Sequence, residues 1–343
     1  EHVCHARSRA GRDVAPDCRP STKCTRAQHQ FAVLGKRVRE TIRIQIVPVY
    51  DVVCQETLAG DDIVEALLTK AKLERENKVS AIKDNVATKL REEFGEEDVA
   101  AAAEVIRSGN LHKGPKVREF EDKWADIHGV KHAITTTSGT ASMHVCAGAL
   151  DLDAGDEIIT TPITAGGSII GMLLQNCVPI FADVDETHNI DPEDVEAKIT
   201  SRTRAIWVTH IYGNPCDMNA LKSIADRHDL YLIEDCCHAP LAEYKGQIVG
   251  SIGDIGGFSF GGKHLSAGVG GAVVTNNDSL WEHGIIFSDV GLPRAHGPYQ
   301  DRPYQHYFLA PNYRMSDLTA AVLVSQLRKL DGYVENKIRA ATN

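Results

Sequence analysis

Residues 132–150 read HAITTTSGTASMHVCAGAL: a short apolar run, a turn rich in hydroxyl side chains, and a run of helix-forming residues. Gly139 allows the turn to bend sharply, and the helix that follows begins with unpaired backbone N–H groups. These N–H groups and the helix dipole favour an anion, and the hydroxyls of Ser138 and Thr140 offer further donors. The stretch predicts a strand, a turn and a helix with a phosphate site at the turn, although such a turn is more often only a helix cap.

The same alternation of strands and helices extends through most of the chain. Two helical segments come first, EEDVAAAAEVIRSG ending at Gly109 and VREFEDKWADIHG ending at Gly129. Further apolar runs, each followed by a helix or a turn, are DEIITTP, VPIFADVD, RAIWVTHIYG, LYLIEDC, GGFSF and GGAVVTN. Strands alternating with helices imply crossover connections, so we predict an α/β fold of three layers with a mainly parallel sheet.

Two strand ends carry residues that point to chemistry. Asp235 ends the run LIED, and an acid at that place can hold a protonated pyridine nitrogen, although it can equally cap or pair within the fold. Lys263 lies in FSFGGKHLSAGVGG, a glycine-rich loop between two strands, and a lysine there can form an imine with an aldehyde cofactor. Each residue alone is weak support, but the order of phosphate turn, acid and lysine favours an aldehyde cofactor bound at the carboxyl edge of the sheet.

Composition excludes several other classes of protein. The formal net charge of −10 disfavours nucleic acid or an acidic membrane as a partner, because phosphates would be repelled. No stretch approaches the ~18 apolar residues that a membrane helix needs. The nine cysteines show no metal-type spacing, so we expect no metal site, and most lie in apolar runs typical of reduced thiols in a cytoplasmic protein.

The first 94 residues differ from the rest of the chain in composition and in hydrophobic pattern. Residues 1–60 are basic and irregular in most of their length, and we expect a poorly ordered extension. Residues 61–94 have apolar positions at helical spacing and dense charge pairs, which predicts a helical connector. The organised domain is expected to occupy residues 95–343.

From about residue 96 onward the chain resembles the DegT/DnrJ/EryC1/StrS family of sugar aminotransferases, which use pyridoxal 5′-phosphate on a type I fold. The resemblance rests on eight ordered segments: SGTASMH, GDEIITTPIT, IFADVDETHNID, THIYGNPCDMNAL, IEDCCHA, YKGQIVGSIGDIGGFSF, GGAVVTN and NYRMSDLTAAV. It implies ping-pong transamination, in which glutamate or glutamine gives an amine to a keto sugar or a cyclic polyol ketone.

The resemblance also implies a role for each matching residue. Lys263 forms the Schiff base, or internal aldimine, and moves the proton; Asp235 pairs with the pyridinium nitrogen, and His238 stands near the phenolic oxygen. The phosphate is held by the first turn and by the end of a later strand: Ser138, Gly139, Thr140, Ala141 and Ser259. Asn312 would reach the phosphate of a neighbouring subunit, which implies a homodimer with shared sites. His210 and Tyr212 lie on a strand-end loop that is expected to face the same cleft, and they receive no role.

Three departures from the family pattern leave alternatives open. Ala165 stands where an aromatic ring commonly stacks on the cofactor, and the glycine loop is one residue short. Counting forward from Phe260 puts His264 rather than Lys263 at the catalytic position, as in the family's sugar 3-dehydratases. The smaller C-terminal domain of the family is expected to be largely missing. The alternatives are therefore a dehydratase, or a non-catalytic or truncated relative that binds only cofactor or a partner chain.

Overall fold

A computed structural model describes residues 94–262, 265–293 and 304–342, and all of these belong to one compact unit, Ala87–Asn343. The predicted basic extension at residues 1–60 and all but the last residue of the predicted connector lie outside the described residues. Lys263 and His264 also lie outside them.

Seven strands form the main sheet and two short strands form a separate hairpin. The main strands are β1 (His132–Thr136), β2 (Glu157–Thr160), β3 (Val178–Phe181), β4 (Thr203–Thr209), β5 (Tyr231–Asp235), β8 (Ile255–Ser259) and β9 (Gly271–Thr275). The hairpin consists of β6 (Glu243–Tyr244) and β7 (Gln247–Ile248). The strand order in the main sheet is β1-β9-β8-β5-β4-β2-β3.

The sheet is mainly parallel, as the sequence predicts. β2, β3, β4, β5 and β8 pair in parallel, whereas β9 runs antiparallel to both β8 and β1. The carboxyl ends of β1, β2, β4, β5 and β8 therefore meet at one edge of the sheet, which is where ligands bind in such folds.

Helices cover both faces of this sheet. The helices are α1 (Glu96–Ser108), α2 (Pro115–His128), α3 (Gly139–Ala149), α4 (Gly166–Leu174), α5 (Pro192–Ala197), α6 (Met218–His228), α7 (Asp278–Ser288), α8 (Asp317–Leu327) and α9 (Leu330–Thr342). Helix α1 ends at Gly109 and α2 ends at Gly129, and both glycines adopt the left-handed conformation that the sequence predicts for a helix stop. Helix α4 begins at Gly166, with Ala165 as its N-cap.

The two faces of each strand pack against different helices, which establishes three layers. In β5, Ile233 packs in the core under α3 and α7, while Leu232 packs in the core under α6. In β9, Val273 belongs to the α3 side and Val274 to the α2 and α8 side. This alternation follows from the two-residue period of a strand, and the three-layer prediction is confirmed.

An aromatic cluster fixes the end of β8 beside the ligand edge. Phe258 and Phe260 each meet Trp124 of α2 edge to face, with ring centroids 5.2 Å apart. All three rings are buried. Because side chains alternate along a strand, the same packing turns Ser259, between the two phenylalanines, towards the opposite face of the sheet.

Candidate active site

A cavity lies at the carboxyl edge of the sheet and brings together five of the residues that the sequence singles out. These are Gly139, Thr140, Asp235, His238 and Ser259. The rest of the lining comes from the neighbouring strand ends and helix starts: Met143, Thr164, Ala165, Gly167, Ser168, Thr209 and Cys237. Asp235 is the one acidic residue in the described lining.

The start of α3 forms one end of this cavity. Ser138 is the N-cap, and its hydroxyl accepts a hydrogen bond from the Ala141 N–H at 3.1 Å. The N–H groups of Gly139 and Thr140 come earlier in the first turn, where helix geometry supplies no partner. The cap thus occupies Ser138 and Ala141, and the donors that face the cavity come from Gly139 and Thr140. A phosphate role for Ser138 and Ala141 stays a prediction.

Gly139 permits a close approach that a larger residue would block. A Cβ at this position would lie 2.5 Å from the Ser259 Cβ and 3.2 Å from the Cys237 Sγ. Without that Cβ, the hydroxyl of Ser259 comes up against the start of α3. The N–H groups of the helix and a hydroxyl from β8 therefore converge on the same part of the cavity, as phosphate binding requires.

The two adjacent acids at the end of β5 face in different directions. Asp235 lies in the cavity lining, where its carboxylate accepts the Cys237 N–H at 3.0 Å. Glu234 is fully buried below the cavity. Its carboxylate accepts hydrogen bonds from the N–H groups of Gly250, Ile252 and Gly253, at 2.6–2.8 Å. Asp235 is therefore the acid that can meet a ligand.

Glu234 is an internal anchor that His210 completes. Burial alone would raise the pKa of Glu234, but the hydrogen bond from the His210 Nε2 at 3.0 Å and those from the backbone outweigh it and lower that pKa. The carboxylate favours a protonated ring on His210, yet Nδ1 accepts the Cys216 N–H at 3.1 Å and therefore carries no proton. His210 is fully buried and does not line the cavity, so the expectation that it faces the cleft is wrong.

His210 and Glu234 also belong to a group of three residues that could in principle bind a metal ion. The ligand atoms of His210, Glu234 and Cys236 lie within 4.8 Å of one another. The four hydrogen bonds to Glu234 use all the lone-pair positions of its carboxylate. The contacts of this group are those of a hydrogen-bonded core, and it offers no open carboxylate oxygen to a cation.

Ala165 also lines the cavity, at the position where the family pattern has an aromatic ring. It is the N-cap of α4, and its side chain makes no cap hydrogen bond. A Cβ on Gly166 would meet no atom within 4 Å, whereas one on Gly167 would lie 2.6 Å from the Thr140 Oγ1. The starts of α3 and α4 are thus adjacent, and open space remains above Gly166.

A loop beside His238 has an importance that the sequence does not reveal. Tyr212 lies in this loop with φ 55° and ψ 18°, a conformation that bulky residues rarely adopt and that costs on the order of 1 kcal/mol or more. The residue is 82% exposed. The loop is held by Asn189, whose part in it was not predicted from the sequence. In the sequence, Asn189 only follows Thr187 and His188 in a turn. That position does not show which backbone groups its side-chain amide contacts.

The remaining predicted residues lie outside this cavity or outside the described residues. Asn312 is exposed, and it lines a separate cavity of about 650 Å³ with His112, Arg118 and Arg314. Its Oδ1 accepts a hydrogen bond from the Arg314 Nε at 3.1 Å. The roles predicted for Lys263 and His264 fall on residues that the structure does not describe.

The donor set of the cavity fits pyridoxal phosphate. A dianionic phosphate needs N–H and hydroxyl donors with no nearby acid, and Gly139, Thr140 and Ser259 provide them. A protonated pyridine nitrogen needs one carboxylate, and Asp235 is the acid that the lining offers. The fold and this donor set define a protein of the type I pyridoxal-phosphate class.

Comparisons with known proteins give the family. The profile of the DegT/DnrJ/EryC1/StrS aminotransferase family matches residues 92–343, and the chain belongs to this family. A solved aminotransferase from Psychrobacter cryohalolentis is 38% identical with a TM-score of 0.65, covering 69% of this chain and 62% of that one. The family and this solved structure agree with the α/β fold described above.

Two curated relatives are similar to the same part of the chain. The spore coat polysaccharide biosynthesis protein SpsC of Bacillus subtilis is 38% identical over 69% of this chain and 63% of its own length. A GDP-perosamine synthase of Escherichia coli O157:H7 is 38% identical over 66% of this chain and 61% of its own length. The chain thus spans about three fifths of these relatives. In the described part of the chain, every helix is too short or too polar to cross a membrane.

Proposed function

We propose that this chain is the cofactor-binding part of a pyridoxal-phosphate-dependent sugar aminotransferase. Glutamate or glutamine is the amino donor, and a keto sugar or a cyclic polyol ketone is the acceptor. The observation that carries the proposal is the convergence of Asp235, Ser259 and the start of α3 on one cavity at the carboxyl edge of the sheet. The two curated relatives, one named for polysaccharide biosynthesis and one for perosamine synthesis, support a sugar acceptor.

Each residue of the cavity has a defined task in this proposal. When bound, pyridoxal phosphate supplies an electron-withdrawing ring that stabilises negative charge on the reacting carbon. Asp235 holds the proton on the ring nitrogen, and the N–H groups of Gly139 and Thr140 hold the phosphate with the Ser259 hydroxyl. His238 lies in the same lining and is assigned to the phenolic oxygen by resemblance. Lys263, by the same resemblance, carries the cofactor and moves the proton through its Nζ.

We also propose a homodimer in which Asn312 serves the partner's phosphate site. Asn312 is exposed and does not line the Asp235 cavity of its own chain, which supports a role towards a second copy. The outer face of α4, which begins at the cavity, exposes Ile170, Leu173 and Leu174, and such an apolar face favours a protein contact. A cytoplasmic location is proposed as well, because the five described cysteines are free thiols.

The test is an absorption spectrum of the full chain with pyridoxal phosphate, followed by borohydride reduction and peptide mapping. We expect the label on Lys263, and we expect L-glutamate to convert the bound cofactor to its amine form. Asp235→Asn should keep the cofactor bound but slow this half-reaction by about 100-fold or more, because the neutral amide no longer holds the ring proton. The matched control is Thr209→Ser, because Thr209 lies beside Asp235 in the cavity lining and serine keeps its hydroxyl.

The same measurement separates the two alternatives. Bound cofactor without a trapped lysine favours a dehydratase that uses His264, in which case His264→Ala abolishes activity and Lys263→Ala leaves it nearly unchanged. Bound cofactor that no amino donor converts favours a non-catalytic relative. Failure to bind cofactor at all refutes the assignment of this cavity.

A further inference from the structure

Tyr212 combines two features that seldom occur together in a residue without a function. Its backbone is in the left-handed region, at φ 55°, where a Cβ is unfavourable and where glycine would be relaxed. The residue is 82% exposed, so burial of its side chain contributes little towards offsetting the cost of this conformation. Strained conformations of this kind persist where the surrounding structure holds them, and they concentrate at ligand-binding sites.

The loop around Tyr212 is held firmly from below. The Nδ2 of the buried Asn189 donates to the carbonyls of Asn214 and Pro215, at 3.2 and 3.1 Å, and its Oδ1 accepts the Ile211 N–H at 3.3 Å. His210 fixes the loop at both ends, because its backbone N–H donates to the Asp235 carbonyl at 3.1 Å and its Nδ1 accepts the Cys216 N–H. The loop therefore presents Tyr212 in one position relative to Asp235.

That position lies at a second cavity, which meets the Asp235 cavity at His238. Tyr212 and His238 both line an open cavity of about 940 Å³, and His238 also lines the Asp235 cavity. The rings of Tyr212 and His238 are nearly parallel, at 4°, with centroids 6.3 Å apart. Tyr212 is thus an exposed aromatic residue in an open cavity that adjoins the Asp235 cavity, and a second substrate in that open cavity would be next to it.

We propose that Tyr212 is a specificity-determining residue that forms an aromatic platform for the six-membered ring of the acceptor. This inference rests on the proposed function, because it assumes that the Asp235 cavity holds the reacting group. A polyol ring carries axial C–H bonds on a face without hydroxyls, and such a face packs on the electron-rich face of an aromatic ring. The ring hydroxyls on the edge remain free to bond to water and to other polar groups.

Tyr212→Ala and Tyr212→Phe test this platform with little change to the backbone. Alanine is as disfavoured as tyrosine at φ 55°, so the Ala variant removes the ring without relieving the strain. The Phe variant keeps the ring and removes the hydroxyl. Tyr231→Ala is the matched control, because Tyr231 is a partly exposed tyrosine at the amino end of β5, at the opposite edge of the sheet.

The measurement is saturation-transfer NMR on the full chain with pyridoxal phosphate bound, saturating aromatic protons of the protein. The probes are myo-inositol and GDP-mannose, which carry no ketone and cannot react. We expect the ring C–H protons of at least one probe to receive saturation in wild type, Tyr212→Phe and Tyr231→Ala alike. In Tyr212→Ala that signal should fall by about three- to ten-fold.

The other outcomes overturn the inference. No signal from either probe in wild type, or an equal signal in Tyr212→Ala, excludes a sugar platform at this residue. A shift of Tyr212→Ala towards monomer with an unchanged probe signal assigns the ring to a subunit contact instead. Failure of the proposed function appears elsewhere, as the absence of a cofactor-labelled lysine, so the two failures are distinguishable.

Discussion

His128 should make the stability of this domain depend on pH between about 4 and 6.5. The side chain is buried between Trp124 and Phe258, with ring centroids 4.5 and 4.7 Å away. Its Nδ1 hydrogen-bonds the Trp124 carbonyl at 2.8 Å, while its Nε2 has no hydrogen-bond partner in the described part of the chain. Burial lowers the pKa of His128 from 6.5 to about 4, although the Trp124 carbonyl and the Glu234 carboxylate oppose that change.

The sign and size of the effect follow from this pKa. At pH values between about 4 and 6.5 the unfolded chain binds a proton at this histidine that the folded chain does not bind. The contribution of His128 to the free energy of unfolding is therefore fully present above pH 6.5 and is lost as the pH falls towards 4. Between pH 8 and pH 5 the free energy of unfolding should decrease by about 2 kcal/mol from this residue alone.

The assay is urea denaturation of wild type and His128→Gln at pH 8, 6.5 and 5, followed by tryptophan fluorescence. Glutamine does not titrate, so the variant should lose about 2 kcal/mol less than wild type between pH 8 and pH 5, whatever its stability at pH 8. His188→Gln, which removes an exposed histidine, is the control and should follow wild type. Parallel pH profiles for wild type and His128→Gln would refute the reasoning.

Two further predictions concern structure and cofactor binding. The buried Asp317 accepts the N–H groups of Gly114 and Val117 at 3.0 and 2.9 Å and so caps α2 from a distant part of the chain. In urea denaturation, Asp317→Ala should lower the free energy of unfolding by about 2–3 kcal/mol. Asp317→Asn keeps one acceptor oxygen and should lower it clearly less. Equal losses in the two variants would contradict a capping role for Asp317. Ala165→Phe should restore a stacking ring and tighten pyridoxal phosphate binding by about two- to ten-fold in a fluorescence titration, whereas Ala165→Leu should not. Weaker binding of the Phe variant would show that the space above Gly166 cannot take a ring.

The sequence predicts the layers of this fold well because local patterns determine them. Alternating apolar residues identify the strands, and glycines after the helical segments end α1 and α2 where the structure ends them. The strand-to-helix turn at Ser138 and the end of β5 at Asp235 locate the ligand edge, because parallel strands place all their carboxyl ends together. The assignment of Lys263 remains a prediction, since it rests on resemblance and falls outside the described residues.

Long-range contacts could not be predicted in the same way. Nothing near Asn189 indicates that its amide holds a loop more than twenty residues away. Likewise, His210 follows a strand that ends at the cleft, but a contact with Glu234 turns its ring into the core. Such contacts depend on which strands become neighbours, and the local sequence does not encode that order.

The adjacent acids at the end of β5 illustrate how these contacts prepare the site. Glu234 uses all its lone-pair positions on His210 and on the backbone of residues 250–253, so it fixes the loop beneath the cavity and has none left for a ligand. Asp235 lines the cavity, and its Oδ1 accepts the Cys237 N–H. Since the Asp235 carbonyl also accepts the His210 N–H, the anchor and the ligand-facing acid are coupled through one histidine. Asp235 is thus held in place before any ligand binds, which its proposed role of keeping a proton on a ring nitrogen requires.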